Sequence, residues 1–241
     1  MNRLSSVRFT GIVILALVIL LNIPYAILIQ TFEYDDILRQ PVEIILTKFQ
    51  AGGVSLILTW FVFGLSALLF IPVSVLLHKI IARDDVPLLN IATTMGVLSG
   101  VLQSVGLMRW VFVVPILSNL YTAPTATSGT REAVSVVFQA IHQYGGVVIG
   151  EQLGQTLLIC WTIGVSLVMQ RSPLFKSWIA KMGLLTAPLL LIGQSELLAT
   201  VIPTLPVVKT SAIGFMLWEL WLLLLGISLL RVPRQRIVSN V

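Results

Sequence analysis

Six apolar runs, each long enough to cross a bilayer, fall along this chain at residues 11–29, 51–77, 87–117, 145–169, 182–202 and 211–230. A hydrocarbon core of about 30 Å takes roughly 20 apolar residues at about 1.5 Å rise per residue, so each run fits one transmembrane helix. The chain therefore reads as all-α, a polytopic transmembrane helix bundle of six helices forming a single integral membrane domain over residues 1–241. Composition agrees, since 57% of the 241 residues are hydrophobic and only 10% charged, where a soluble domain carries about 25% charged residues. The third run exceeds one crossing, so it is expected to tilt or to begin as an interfacial segment near Pro87.

A net charge of +5 does not point to nucleic acid. The basic residues lie in short tails and loops rather than together on one face with polar or aromatic readers between them. Cys160 is the one cysteine, which excludes an internal disulfide and a cysteine metal cluster, and its apolar surroundings predict an inert, buried thiol. Arg3 and Arg8 precede the first run as they would in a signal peptide, but residues 22–26 offer no small-x-small cleavage site, so the first helix is expected to be retained.

Lysine and arginine set the orientation, because short cytoplasmic segments carry the excess. One side holds Arg3, Arg8, Lys79, Arg83, Arg171, Lys176, Lys181, Arg231, Arg234 and Arg236; the other holds Arg39, Lys48, Arg131 and Lys209. Ten against four, with Arg109 left aside as intramembrane, predicts both termini in the cytoplasm and a multi-pass protein of the cell (plasma) membrane. Glu33, Asp35, Asp36, Glu43 and Glu132 fall outside, and Asp84 and Asp85 inside.

Both long external loops carry a helix-like segment. Residues 41–49 place Pro41 at a favourable first helical position, with Val42, Ile45, Leu46 and Phe49 at helical spacing. Thr130 is the expected cap of a second segment reaching Tyr144, with Val134, Val137, Phe138 and Ile141 on one face. Two short external amphipathic helices follow, lying on the membrane surface or forming lids over the bundle. Gly96 and Gly100, and then Gly146, Gly150 and Gly154, repeat at four-residue spacing, which lets helix backbones approach closely and predicts that the third and fourth helices are neighbours. Trp110, Tyr121, Tyr144 and Trp178 fall near span ends, where interfacial anchors are expected.

Charges within spans are costly and mark candidate sites. Counting about 1.5 Å per residue from the cytoplasmic ends puts Glu219 near the midplane, Glu196 and Gln155 in the outer half, and Glu151 and Arg109 close to the external boundary. Arg109 and Glu151 then share a level, which makes an ion pair easy, and Glu151 and Gln155 share a helix face at i and i+4. Polar groups grade inward from His142, Arg109 and Glu151 through Gln103, Gln155, Gln194 and Glu196 to Glu219, beyond which only small groups such as Ser74 and Thr162 follow. These eight residues are the candidate binding set, an outward-facing polar pocket ending near mid-membrane. One arginine against three glutamates leaves a sum of −2 if all ionise, so a protonated glutamate, with Glu219 the first candidate, or a bound cation is expected. Pro188 is the expected kink beside Glu196.

No nucleophile, P-loop or dinucleotide motif occurs, no catalytic residue is assigned, and no cofactor or metal is implied. His142 and Glu151 lack a third ligand at a recognisable spacing. Two readings lead. The protein binds a small polar or amphiphilic ligand in that pocket, or its buried charges specify helix packing and it works through a membrane-protein partner or a homo-oligomer. An intramembrane lipid-modifying enzyme or a small-solute transporter is the alternative, and the lipid bilayer is a partner in every case.

The order of Asp36-Ile37-Leu38, Pro41, Phe49, Gly52-Gly53, Leu56, Trp60 and Pro72, then Leu107, Arg109-Trp110, Gly150-Glu151, Leu153-Gly154 and Trp161, resembles an uncharacterised bacterial membrane family, DUF4386. The resemblance implies bacterial origin and the six-helix plan, and it brings no catalytic or binding residue with it.

Overall fold

The computed structural model describes residues 3–34, 36–82, 86–208 and 210–233. Asp35, Arg83, Asp84, Asp85, Lys209, Arg234 and Arg236 of the charge count lie outside the described residues. Every regular element among the described residues is helical, and six helical stretches are long and apolar enough to span a membrane.

α1 runs Arg3–Phe32 and closes on Glu33, whose φ of 56° is left-handed. That reversal sends the Tyr34 N–H back to the Leu28 carbonyl at 3.3 Å and sets the Tyr34 ring edge-on to Trp60 at 5.2 Å. A 3-10 turn, Asp36–Arg39, leads to α2, Val42–Leu68, and α3, Phe70–Ile81. The segment expected around 41–49 is the first part of α2, and Gly53 divides it from the apolar span with φ 55° and ψ −150°, a conformation essentially reserved for glycine. Ile45, Leu46 and Phe49 turn inward, so this segment packs its apolar face on protein. Pro72 explains the break at Leu69, because it has no N–H for the Leu68 carbonyl and its ring crowds that oxygen.

The third span is α4, Pro87–Phe112, followed by α5, Val114–Thr122. The interruption of this long span falls at Val113, near its far end. Pro115 breaks the ladder there as Pro72 does earlier, and Val113 at the junction has φ −112° while its N–H still reaches the Arg109 carbonyl at 3.0 Å. α6, Ser128–Ile141, is capped by Thr127, whose hydroxyl accepts from the Thr130 N–H at 3.1 Å; Thr130 is thus the third residue inside, not the cap. Val134 and Phe138 are buried as expected, while Val137 is exposed. No loop separates α6 from the fourth span, since a π-helical stretch, His142–Leu153, joins it directly to α7, Gly154–Met169. α8, Ser177–Gly193, passes through Pro188 as helix, and the interruption falls later, at Gln194, before α9, Ser195–Ala199. α10, Ser211–Leu230, is the sixth span.

The chain packs as two compact units, each assembled from separate stretches. The first comprises Met1–Val18, Leu69–Val101 and Gln152–Val241. Here Trp161 meets Phe70 at 4.7 Å and Trp221 at 5.9 Å, the Trp218 indole N–H donates to Thr162 at 2.9 Å, and the Trp221 N–H donates to the Ile179 carbonyl at 2.9 Å. The Ser99 hydroxyl donates to the Gly154 carbonyl at 2.8 Å, tying α4 to α7. Cys160 is half-buried.

The second unit comprises Ile19–Leu68 and Leu102–Glu151. Its core gathers Leu28, Phe32, Leu46, Phe49, Trp60, Trp110 and Phe138. Gly106 and Gly150 meet so closely that a Cβ on either would strike backbone of the other. The third and fourth spans are neighbours as the glycine spacing predicts, although Gly106 is a contact the four-residue repeat did not contain.

Candidate functional site

Trp110 is the centre of the second unit rather than an interfacial anchor, with no exposed surface. Trp60 stacks on it at 4.8 Å with ring planes 12° apart, Phe49 stacks at 5.8 Å, and Phe32 and His142 meet it edge-on at 5.4 and 6.0 Å. The Arg109 guanidinium lies 5.2 Å from the same ring, and Phe138 stacks on His142 at 5.3 Å. Tyr144 and Trp178, by contrast, stay exposed.

Arg109 is 7% exposed and donates to the Gly106 carbonyl at 2.5 Å. Its guanidinium rests on Gly146, where a side chain would collide with it. The Glu151 carboxylate stands 4.0 Å away, so the expected pair forms at the outer limit of an ion pair, with Glu151 22% exposed.

The π-helix explains why one side chain meets all of these. Nine residues of α-helix, at 3.6 per turn, are about two and a half turns and would put His142 and Glu151 on opposite faces. Bonding from i to i+5 gives roughly 4.4 residues per turn, so nine residues make about two turns and both fall on the face that carries Gly146.

Several polar atoms here are left over. Trp60 Nε1, Trp110 Nε1 and Arg109 Nε are buried and find no acceptor among the described residues, and neither ring nitrogen of His142 finds a partner there. A buried polar group without a partner is rare, and in hydrocarbon it costs several kcal/mol by order of magnitude. The two indoles and Arg109 contribute three N–H donors, and the His142 ring adds one more. Together they suit an acceptor, such as a carboxylate, phosphate or carbonyl oxygen.

Of the eight candidates, Arg109, Glu151 and His142 are brought together, and half-buried Gln103 belongs to the same unit. Gln155, Gln194, Glu196 and Glu219 belong to the first unit. There Gln194 accepts from Gln152 Nε2 at 2.8 Å and stands 3.1 Å from the Thr156 hydroxyl. Gln155, Glu196 and Glu219 are half-buried, and neither glutamate stands free of interactions. Sequence reasoning missed Trp60, Gln152 and Thr156. None of them carries a charge or belongs to a catalytic motif, and the only signal for Trp60 was its place with Arg109-Trp110 in the family resemblance.

The chain is a multi-pass, all-helical membrane protein by the length and apolarity of its six spans. It belongs to the family described as Domain of unknown function (DUF4386), which matches residues 9–226. No curated protein and no solved structure matches it.

Proposed function

We propose that this protein binds, without transforming, a small amphiphile whose polar head is a hydrogen-bond acceptor, and that the head lies at the Arg109, Trp110 and His142 cluster. The observation that carries this reading is the three buried N–H donors without acceptors, on Trp60, Trp110 and the Arg109 guanidinium. Glu151 at 4.0 Å offsets the Arg109 charge only in part. An acidic head, carboxylate or phosphate, would take a charge-assisted bond from Arg109 Nε and neutral bonds from the indoles. The aromatic walls suit the first methylenes of an acyl chain.

A packing role for Arg109 is the second reading, favoured by its bond to the Gly106 carbonyl and its seat on Gly146. Binding of radiolabelled dodecanoate to the protein in zwitterionic nanodiscs separates the two. Saturable binding that weakens at least about tenfold in Arg109→Met supports the ligand site, that being the scale of one charge-assisted hydrogen bond. Equal, non-saturable uptake by both proteins leaves the packing role. The plasma membrane and cytoplasmic termini are part of the same proposal, supported by the lysine and arginine count. An impermeant thiol reagent on intact cells should then label Thr127→Cys and spare Ser172→Cys; the reverse pattern inverts the orientation.

A further inference from the structure

Gln152 and Gln194 in the first unit form a second, chemically different arrangement, independent of the reading above. Gln152 Nε2 donates to Gln194 Oε1 at 2.8 Å, and the Thr156 hydroxyl stands 2.6 Å from the Gln152 carbonyl and 3.1 Å from Gln194 Oε1. After these bonds, Gln152 Oε1 and Gln194 Nε2 remain buried with no partner among the described residues, and Gln194 is 5% exposed. Turning the amides does not remove the remainder. With both reversed, Gln194 donates to Gln152 and leaves its own carbonyl open, while Gln152 keeps an NH2 group. In either arrangement one amide acceptor and one amide donor stay open, on two side chains that already touch at 2.8 Å.

Both residues also stand where regular helix fails. Gln152 lies near the end of the π-helical stretch and Gln194 in the gap between α8 and α9. Interrupted helices in membrane proteins recur at binding sites, because a backbone break there is tolerated only beside protein or a polar occupant. A purely structural amide pair would more economically close both of its hydrogen bonds, as two facing primary amides can.

We propose that the Gln152 and Gln194 pair is a binding site for a neutral group that donates and accepts at once, a primary amide or a hydroxyl carried on an apolar body. An acceptor-only head leaves the open carbonyl unpaired, and a carboxylate sets its charge against that carbonyl. The pair therefore selects against the heads that suit the Trp110 cluster.

The test uses the full chain in zwitterionic nanodiscs and four probes with equal tails: dodecanamide, N,N-dimethyldodecanamide, dodecanol and dodecanoate. The site predicts that dodecanamide or dodecanol binds at least about tenfold more tightly than the dimethylamide, the scale of one to two net hydrogen bonds. Whichever of the two binds better identifies amide or hydroxyl as the group. Gln194→Met should abolish that preference, and Arg109→Met should leave it intact while weakening dodecanoate alone. Equal affinities for dodecanamide, dodecanol and the dimethylamide in the unmodified protein overturn the proposal without reliance on any variant. A preference that survives in both Gln152→Met and Gln194→Met overturns it as well. Absence of saturable dodecanoate binding in the unmodified protein, with the amide preference present, defeats the Trp110 reading and leaves this one standing.

Discussion

The guanidinium of Arg109 lies against the bare Cα of Gly146, and a side chain at 146 would occupy its place. Gly145, one residue earlier, faces open space, and a methyl group added there would meet no atom within 4 Å. Gly146→Ala should therefore cost about 1–3 kcal/mol through overpacking, and Gly145→Ala should stay within about 0.5 kcal/mol of the parent. Thermal unfolding in detergent reads both. Equal effects of the two substitutions would remove Arg109 from this face of the π-helix.

The Gly53 break separates the buried Ile45, Leu46 and Phe49 face from the membrane span that follows. Because no atom lies within 4 Å of a Cβ there, Gly53→Ala tests backbone conformation alone. It should destabilise the protein by about 1–3 kcal/mol. Gly129→Ala, also in open surroundings, serves as the control and should be near neutral. A neutral Gly53→Ala would mean that α2 runs straight.

The six spans and the nearness of the third and fourth were legible because apolar length and four-residue glycine spacing act locally along one helix. The short helix at 41–49 was legible for the same reason. What escaped depends on departures from the α-helical period. His142 and Glu151, nine residues apart, share a face only in a π-helix, and nothing in their spacing announces that the ladder shifts to i+5. Trp110 looked like an interfacial anchor because a tryptophan near a span end usually is one. Its burial follows from Phe32, Phe49 and Trp60, which come from far along the chain and meet it only in the folded unit. Pro72 and Pro115 broke their helices while Pro188 did not, so proline alone does not locate the interruptions.

Arg109 and Glu151 stand at 4.0 Å with the carboxylate partly exposed, which sets an expectation for their coupling. A dry, well-formed pair loses about 3–5 kcal/mol when one partner goes. At this distance and exposure, a double-mutant cycle with Arg109→Met and Glu151→Gln should give about 1 kcal/mol of coupling or less. Coupling above about 3 kcal/mol would make Glu151 the true partner of Arg109 and leave no charge for an acidic ligand.

Trp60 shows whether the Trp110 cluster holds an acceptor head, because phenylalanine keeps most of its ring stacking on Trp110 and removes only the rest of the indole and its N–H. Radiolabelled dodecanoate binding should be saturable in the unmodified protein and several-fold weaker in Trp60→Phe, about the worth of one hydrogen bond, with the variant still folded. Unchanged dodecanoate affinity in Trp60→Phe, together with equal or higher thermal stability, would contradict it: the indole N–H would then be an unsatisfied group whose removal costs nothing, and the Trp110 cluster would be packing alone.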